Sequence, residues 1–141
     1  MKTLTVLLTM IVMLISACTP SGAGAVELTI PSKWSLESMG ISGAEIPVVE
    51  GSTVTLEFAE DGQLGGSGGC NYFGAAFELE GNTIKITDVV STLMACVDEQ
   101  VMAQESLFFA ALQSATSFEI SADRLTIFYD NGQSQLTFVR Q

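Results

Sequence analysis

The chain has 141 residues, with 16 acidic side chains against five basic ones, no histidine, and a net charge of −11. That charge repels phosphate backbones and excludes nucleic acid as a partner. The missing imidazole excludes Ser-His-Asp and Cys-His nucleophile systems and every His-containing metal site.

In chain order, Met1-Lys2 precedes an apolar run from Leu4 to Ile15 that ends in Ser16-Ala17-Cys18. One positive charge, an apolar stretch and small residues before a break are the parts of an export signal. The stretch is short of the ~20 apolar residues a spanning helix needs. Small residues directly before a cysteine resemble the bacterial lipobox, which implies cleavage before Cys18 and acylation of that cysteine. Residues 1–17 are then the signal peptide, and residues 18–28 the lipidated N-terminus and tether. Thr19 to Val26 is small, Pro/Gly-rich and uncharged, a flexible composition. Residues 29–141 form the domain. Cleavage takes 141 residues to 124, enough for one core, and the loss of Lys2 takes the net charge to −12. The remaining acidity reads as solubility and argues against docking on anionic lipid.

Lys33 to Met39 reads as a strand with Trp34, Leu36 and Met39 apolar, and Gly40 to Val49 as a loop. Thr53 to Phe58 alternates with period two, placing Val54, Leu56 and Phe58 on one face. Asp61-Gly62 turns the chain into a return strand from Leu64 to Cys70, rich in glycine, which weakens strands and marks bulges or close backbone approach. Tyr72 to Leu79 and Thr83 to Thr87 are further strands around a turn at Glu80-Gly81-Asn82. Asp98 suits an N-cap, and Glu99 to Ala115 reads as a helix with Val101, Phe108, Leu112 and Ala115 on one stripe, flanked by Met102, Glu105 and Phe109. The chain closes as a meander: Phe118 to Ser121, Arg124 to Tyr129, a turn at Asp130-Asn131-Gly132, and Ser134 to Val139. Hairpins predominate, and the several helices that parallel crossovers need are absent. The fold class is α+β: a curved, mostly antiparallel sheet, open or closed into a small barrel, with one main helix.

Cys18, Cys70 and Cys96 are the three cysteines. With Cys18 assigned to lipid, Cys70 and Cys96 remain as a pair in an oxidising compartment, where a disulfide is the default. The glycine-rich segment lacks the Gly-Lys-Ser/Thr of a phosphate-binding P-loop. Asp130-Asn131-Gly132 lacks the distal acidic residue of a calcium loop. No cofactor and no metal are expected. Glu60-Asp61, Asp98-Glu99 and Glu78 with Glu80 lie beside turns and read as solvated surface. Glu105 reads as a helix-to-loop hydrogen-bond acceptor or a binding-site carboxylate, and Asn71 as a loop staple or a ligand contact.

Trp34-Ser35-Leu36, Gly69-Cys70-Asn71, Thr92-Leu93-Met94-Ala95-Cys96, Glu105 and Leu125-Thr126-Ile127 together resemble the META/HslJ family of small bacterial envelope domains, over about Trp34 to Phe138. This chain departs from the family at Ala75, where glycine is frequent. The resemblance implies a compact α+β domain, often lipid-anchored, linked in some bacteria to heat shock and antibiotic tolerance, with no established catalysis.

These readings define a lipid-anchored, non-catalytic binding module of the cell envelope. Its membrane contact is the lipid on Cys18 and its partner is an envelope protein. The candidate rim comprises Gly66, Gly68, Gly69, Asn71, Thr92 and Glu105. The alternatives are a thiol-disulfide redox protein using Cys70 and Cys96, and a carboxylate-based enzyme. The address is the periplasmic or outer face of a membrane; Thr19 after the cysteine, where Asp would signal retention, favours the outer membrane. Cys18→Ala is expected to move the protein from the membrane to the soluble fraction, as fractionation followed by immunoblotting would read.

Overall fold

The computed structural model describes residues 27–141. The export-signal, lipidation and tether readings on residues 1–26 lie outside the described residues.

The strands are β1 (Ser32–Ile41), β2 (Ile46–Pro47), β3 (Thr55–Phe58), β4 (Gln63–Ser67), β5 (Tyr72–Glu80), β6 (Thr83–Ser91), β7 (Ser117–Ser121), β8 (Arg124–Tyr129) and β9 (Ser134–Arg140), with one helix, α1 (Glu99–Gln113), between β6 and β7. All pairings are antiparallel and run in the order β2-β1-β3-β4-β5-β6-β7-β8-β9. β9 then pairs back with β1, from Trp34↔Arg140 to Ile41↔Ser134, so the sheet curves into a ring. β2 is added outside it, on the edge of β1 beyond β3. The narrowest seam is β6–β7, joined by one strand pair, Thr83↔Ser117, and by bonds from Ile84 N to Thr116 O and Phe118 N to Asn82 O. The α+β reading of a curved antiparallel sheet with one helix holds.

Period-two alternation sends one set of side chains into the ring: Trp34, Leu36, Leu56, Phe58, Leu64, Phe73, Phe77, Ile84, Ile86, Leu125, Ile127, Leu136 and Phe138 are all buried. On β1 the apolar spacing changes from two to three between Leu36 and Met39. The cause is a bulge at Glu37, where the register against β9 shifts and Glu37 O instead accepts from Val48 N. β6 extends beyond Thr87 to Ser91 across a second bulge, where Asp88 takes φ +56° and the register against β5 shifts opposite Ala75. The extra residue belongs to β6, so the bulge does not need glycine on β5, and Ala75 is buried at no conformational cost.

Further boundaries differ from the sequence reading, three of them around the helix. β4 stops at Ser67, because Gly68 to Asn71 leaves the ladder for α1. The stretch read as a loop contains β2. The helix ends at Gln113, since Ser114 caps it and Ala115 lies beyond. Asp98 is the N-cap, its Oδ1 accepting from Gln100 N at 2.8 Å and Val101 N at 3.2 Å.

α1 lies across one end of the ring. Gln104 reaches the approach to β3 (Val49, Ser52), Glu105 the turn after β4, and Leu107 and Ala110 line a cleft with Ile41, Ile46 and Tyr129. Its buried face is Val101, Gln104, Glu105, Phe108, Ala111 and Leu112, while Met102 is exposed. Phe108 meets Phe73 and Phe138 edge-on, with centroids 5.6 and 6.4 Å apart. At the opposite end Leu28, within the stretch assigned to the tether, is buried in the core, and with Ile30 it lines a small cleft beside Leu79 and Phe118.

Phe108 is fully buried where the helix meets the ring interior, so Phe108→Ala is expected to cost about 3–5 kcal/mol. Urea unfolding followed by circular dichroism would measure it.

Candidate functional site

The turn that leaves β4 runs Gly68-Gly69-Cys70-Asn71, and each residue has a stated physical task. Gly66 holds φ +151°, and a Cβ there would stand 2.2 Å from Thr55 O. Gly69 holds φ +111° in the region that L side chains avoid. At Gly68 the constraint is space, because a Cβ would meet Glu105 Oε2 at 2.6 Å and Phe109 Cζ at 2.7 Å. The glycines therefore serve close approach of the turn to β3 and α1. Their N–H groups are spent inside it: Gly68 N donates to Asn71 O at 2.7 Å and Gly69 N to Ser67 Oγ at 3.2 Å.

That approach brings two backbone donors to one carboxylate. Glu105 Oε2 accepts from Cys70 N at 3.1 Å and Asn71 N at 2.5 Å, while Oε1 accepts from Asn71 Nδ2 at 2.6 Å. Glu105 is the one buried charged residue among the described residues. A buried carboxylate is costly unless hydrogen-bonded, and here both oxygens are engaged. Asn71, also buried, passes the connection on: its Oδ1 accepts from Thr92 Oγ1 at 2.8 Å and Met94 N at 2.7 Å. Thr92 Oγ1 in turn accepts from Tyr72 N at 3.2 Å. Helix, glycine turn and the segment from Thr92 to Cys96 are thus fastened through two side chains.

The Cys70–Cys96 disulfide closes the same corner, with Cα atoms 6.1 Å apart and the two residues 26 positions apart in sequence. All six rim candidates come together here, with unequal exposure. Gly68, Asn71 and Glu105 are buried, Gly66 and Gly69 half-buried, and Thr92 exposed with its hydroxyl engaged. The surface that faces water is instead apolar. Leu93 is 97% exposed and Val97 102%, beside half-exposed Met94, and Tyr72 and Val90 are exposed on the neighbouring strands. Leu93 and Met94 lie in the Thr92–Cys96 motif that sequence reasoning singled out, but their exposure, and that of Val97, went unread because they belong to no periodic stripe. Two large aliphatics inside a seven-residue non-helical connection were the available signal.

The carboxylate pairs read as surface stand apart from this corner. Glu60, Asp61, Glu78 and Glu80 are exposed, and Asp98 is occupied as the N-cap. Among the described residues no group of three or more Cys, Asp or Glu side chains is drawn together as a metal cage would require.

Glu105→Gln would turn an amide N–H toward Asn71 Nδ2, facing donor to donor in a buried site. A loss of about 1–3 kcal/mol is expected, with faster amide exchange at Cys70 and Asn71. Replacing both cysteines by serine should cost about 3–4 kcal/mol through the loop it releases. Hydrogen exchange and denaturant titration read both effects.

The arrangement has relatives of known structure. A protein from Burkholderia xenovorans solved by NMR superposes with a TM-score of 0.66 at 23% identity, covering 79% of this chain and 82% of its own. A crystal structure of a DUF4847 family protein from Bacteroides vulgatus gives a TM-score of 0.59 at 14% identity, covering 77% of this chain and 92% of its own. At these identities the likeness speaks for the fold alone. No curated protein matches the chain. The family model described as META domain matches residues 26–141, which takes in the ring, the helix and the disulfide corner, and the chain belongs to the META domain family.

Proposed function

We propose that this is a lipid-anchored protein of the cell envelope whose domain acts by contact and carries no chemistry of its own. The observation that carries the reading is the use of Glu105. The buried carboxylate, the group best placed for acid-base work, has both oxygens committed to holding the turn. What the held segment presents is Leu93 and Val97, almost wholly in water. Leaving such side chains exposed forgoes about 1.5–3 kcal/mol each, which burial against a partner would recover.

The placement of the two ends supports the same reading. Leu28 and Ile30 sit at the end of the ring opposite α1, whereas Leu93 and Val97 project at the α1 end. Nine residues separate Cys18 from Leu28, an extended reach of about 30 Å at most, similar to the length of the nine-residue β5. A domain tethered at Cys18 carries the apolar segment on the end farther from its attachment, and a tether of that length leaves it free to meet an envelope protein.

The redox alternative has its two sulfurs at this corner, but the residues beside Cys96 are Asp98 and Glu99, which oppose a thiolate. Titration of thiols in the exported protein decides between them: a stable disulfide is expected, and two free or readily cycling thiols would favour redox work.

Because the glycines are internal, the binding surface is best tested at the exposed side chains. Leu93→Asp with Val97→Asp is expected to leave folding intact and to abolish recovery of partners from native membranes. A folded double variant that keeps every wild-type partner refutes the surface.

A further inference from the structure

α1 covers only part of the end of the ring that it crosses. Beside its C-terminal half the mouth stays open as a cleft of about 300 Å³, at the lower limit for small-molecule sites. Met39 of β1 and Ala111 of α1, both buried, form the floor. The walls are Ile41 and Ile46 from the β1–β2 hairpin, Leu107 and Ala110 from the helix, and Tyr129 from the end of β8. Ile41 is 65% exposed, and Ile46 and Leu107 are each 58% exposed. Single exposed aliphatics are ordinary, but three around one concavity form a patch that folding alone does not account for. The polar groups here are few and of one kind. Ser134, buried at the start of β9, has its hydroxyl beside that of Tyr129, and both oxygens can accept a hydrogen bond. The helix C-terminus, capped by Ser114, abuts the cleft, and its last turn has no basic residue to offset the negative end of the dipole. Asp130 stands at the rim, exposed and without an ion-pair partner among the described residues. No Lys or Arg lines the cleft.

We propose that this cleft binds a small aliphatic amine, its apolar body against Ile41, Ile46 and Leu107 and its ammonium group among Asp130, the two hydroxyls and the helix end. An ammonium group only donates hydrogen bonds, and every polar side chain lining the cleft can accept one. An anionic ligand would meet Asp130, the helix C-terminus and a net charge of −11, each opposing it. A peptide added as a strand would have to pair with β2, which offers two residues, one of them Pro47 with no N–H to give. Turn chemistry explains a small polar residue at position 130, where φ is +50°, but it does not select the charge, because Asn would serve the turn as well. The carboxylate is thus left for the cleft. The site uses the C-terminal half of α1, whereas the turn that holds the Leu93 segment is fastened to Glu105 in the N-terminal half. The inference is therefore independent of the apolar segment and of the lipid anchor.

The test uses the full chain in nanodiscs of zwitterionic lipid, titrated with cyclohexylamine and, as controls of the same shape, cyclohexanol and cyclohexanecarboxylate. Amide shifts followed by NMR should move at Ile41, Ile46, Ser114 and Asp130 with the amine, more weakly with the alcohol and not with the carboxylate. Asp130→Asn keeps the turn and should weaken amine binding about fivefold while leaving the alcohol unaffected. Ala110→Phe fills the cleft from an exposed helix position and should abolish binding of both. Leu93→Asp with Val97→Asp should bind the amine like the wild type. The proposal is overturned if the amine moves none of these amides at millimolar concentration, or if the alcohol or the carboxylate binds as tightly. It is equally overturned if Asp130→Asn or a folded Ala110→Phe binds the amine like the wild type, or if the folded Leu93/Val97 double variant loses it.

Discussion

One carboxylate sets the terms for the helix end of this molecule. Glu105 faces inward from α1 beside Phe108 and Phe109, where an unpaired charge would be prohibitive, and no cation among the described residues pairs with it. Its compensation comes from backbone: the N–H groups of Cys70 and Asn71, which reach it only because the turn comes within van der Waals range of the helix. That proximity leaves no room for a Cβ at Gly68. The glycine cluster, Asn71 and Glu105 are therefore one device, in which the need of each element is met by another. The Cys70–Cys96 bond lies on the same device and ties the turn to the chain two residues before the helix cap.

Gln104, one position away, does the same work on the other side of the helix. Its Oε1 accepts from Val49 N at 2.6 Å and its Nε2 donates to Ser52 Oγ at 3.0 Å, so the irregular approach to β3 is also held by the helix. Apolar contacts along Phe108, Ala111 and Leu112 supply the burial, and the two adjacent polar residues fix where the helix sits. Burial alone tolerates sliding; hydrogen bonds with fixed partners do not.

Much of this was legible wherever the signal is local. Asp98 before an apolar period, Gly81-Asn82 and Asn131-Gly132 between alternating runs, and the inward faces of β3, β5 and β9 follow from capping, turn chemistry and period two. The glycines between Gly65 and Gly69 were legible as close approach but not as to what approaches, because the partners Thr55, Glu105 and Phe109 are distant in sequence. Ring closure from β9 to β1 is non-local for the same reason. The continuation of β6 past Asp88 was hidden because a left-handed aspartate interrupts the alternation. Gln104 escaped notice as a polar residue on an apolar stripe, although its spacing of three from Val101 and four from Phe108 placed it there.

Closure of the ring also decides how such a domain can recognise anything. Most ring strands spend their backbone on two neighbours, so the common route of adding a strand to a sheet edge is confined to the two residues of β2 and to the sparsely paired β6–β7 seam. Elsewhere on the ring, recognition is left to side chains or to segments that leave the ladder. The segment that leaves the ladder is held by Asn71 and the disulfide while its apolar side chains stay in water. Holding a loop rigidly while leaving Leu93 and Val97 uncovered lowers the ordering cost of any later contact. Packing alone would have folded those side chains inward. The polar anchors at Thr92 and Met94 hold the segment at the surface instead, and under the contact function proposed above the stability so forgone is what a partner would recover.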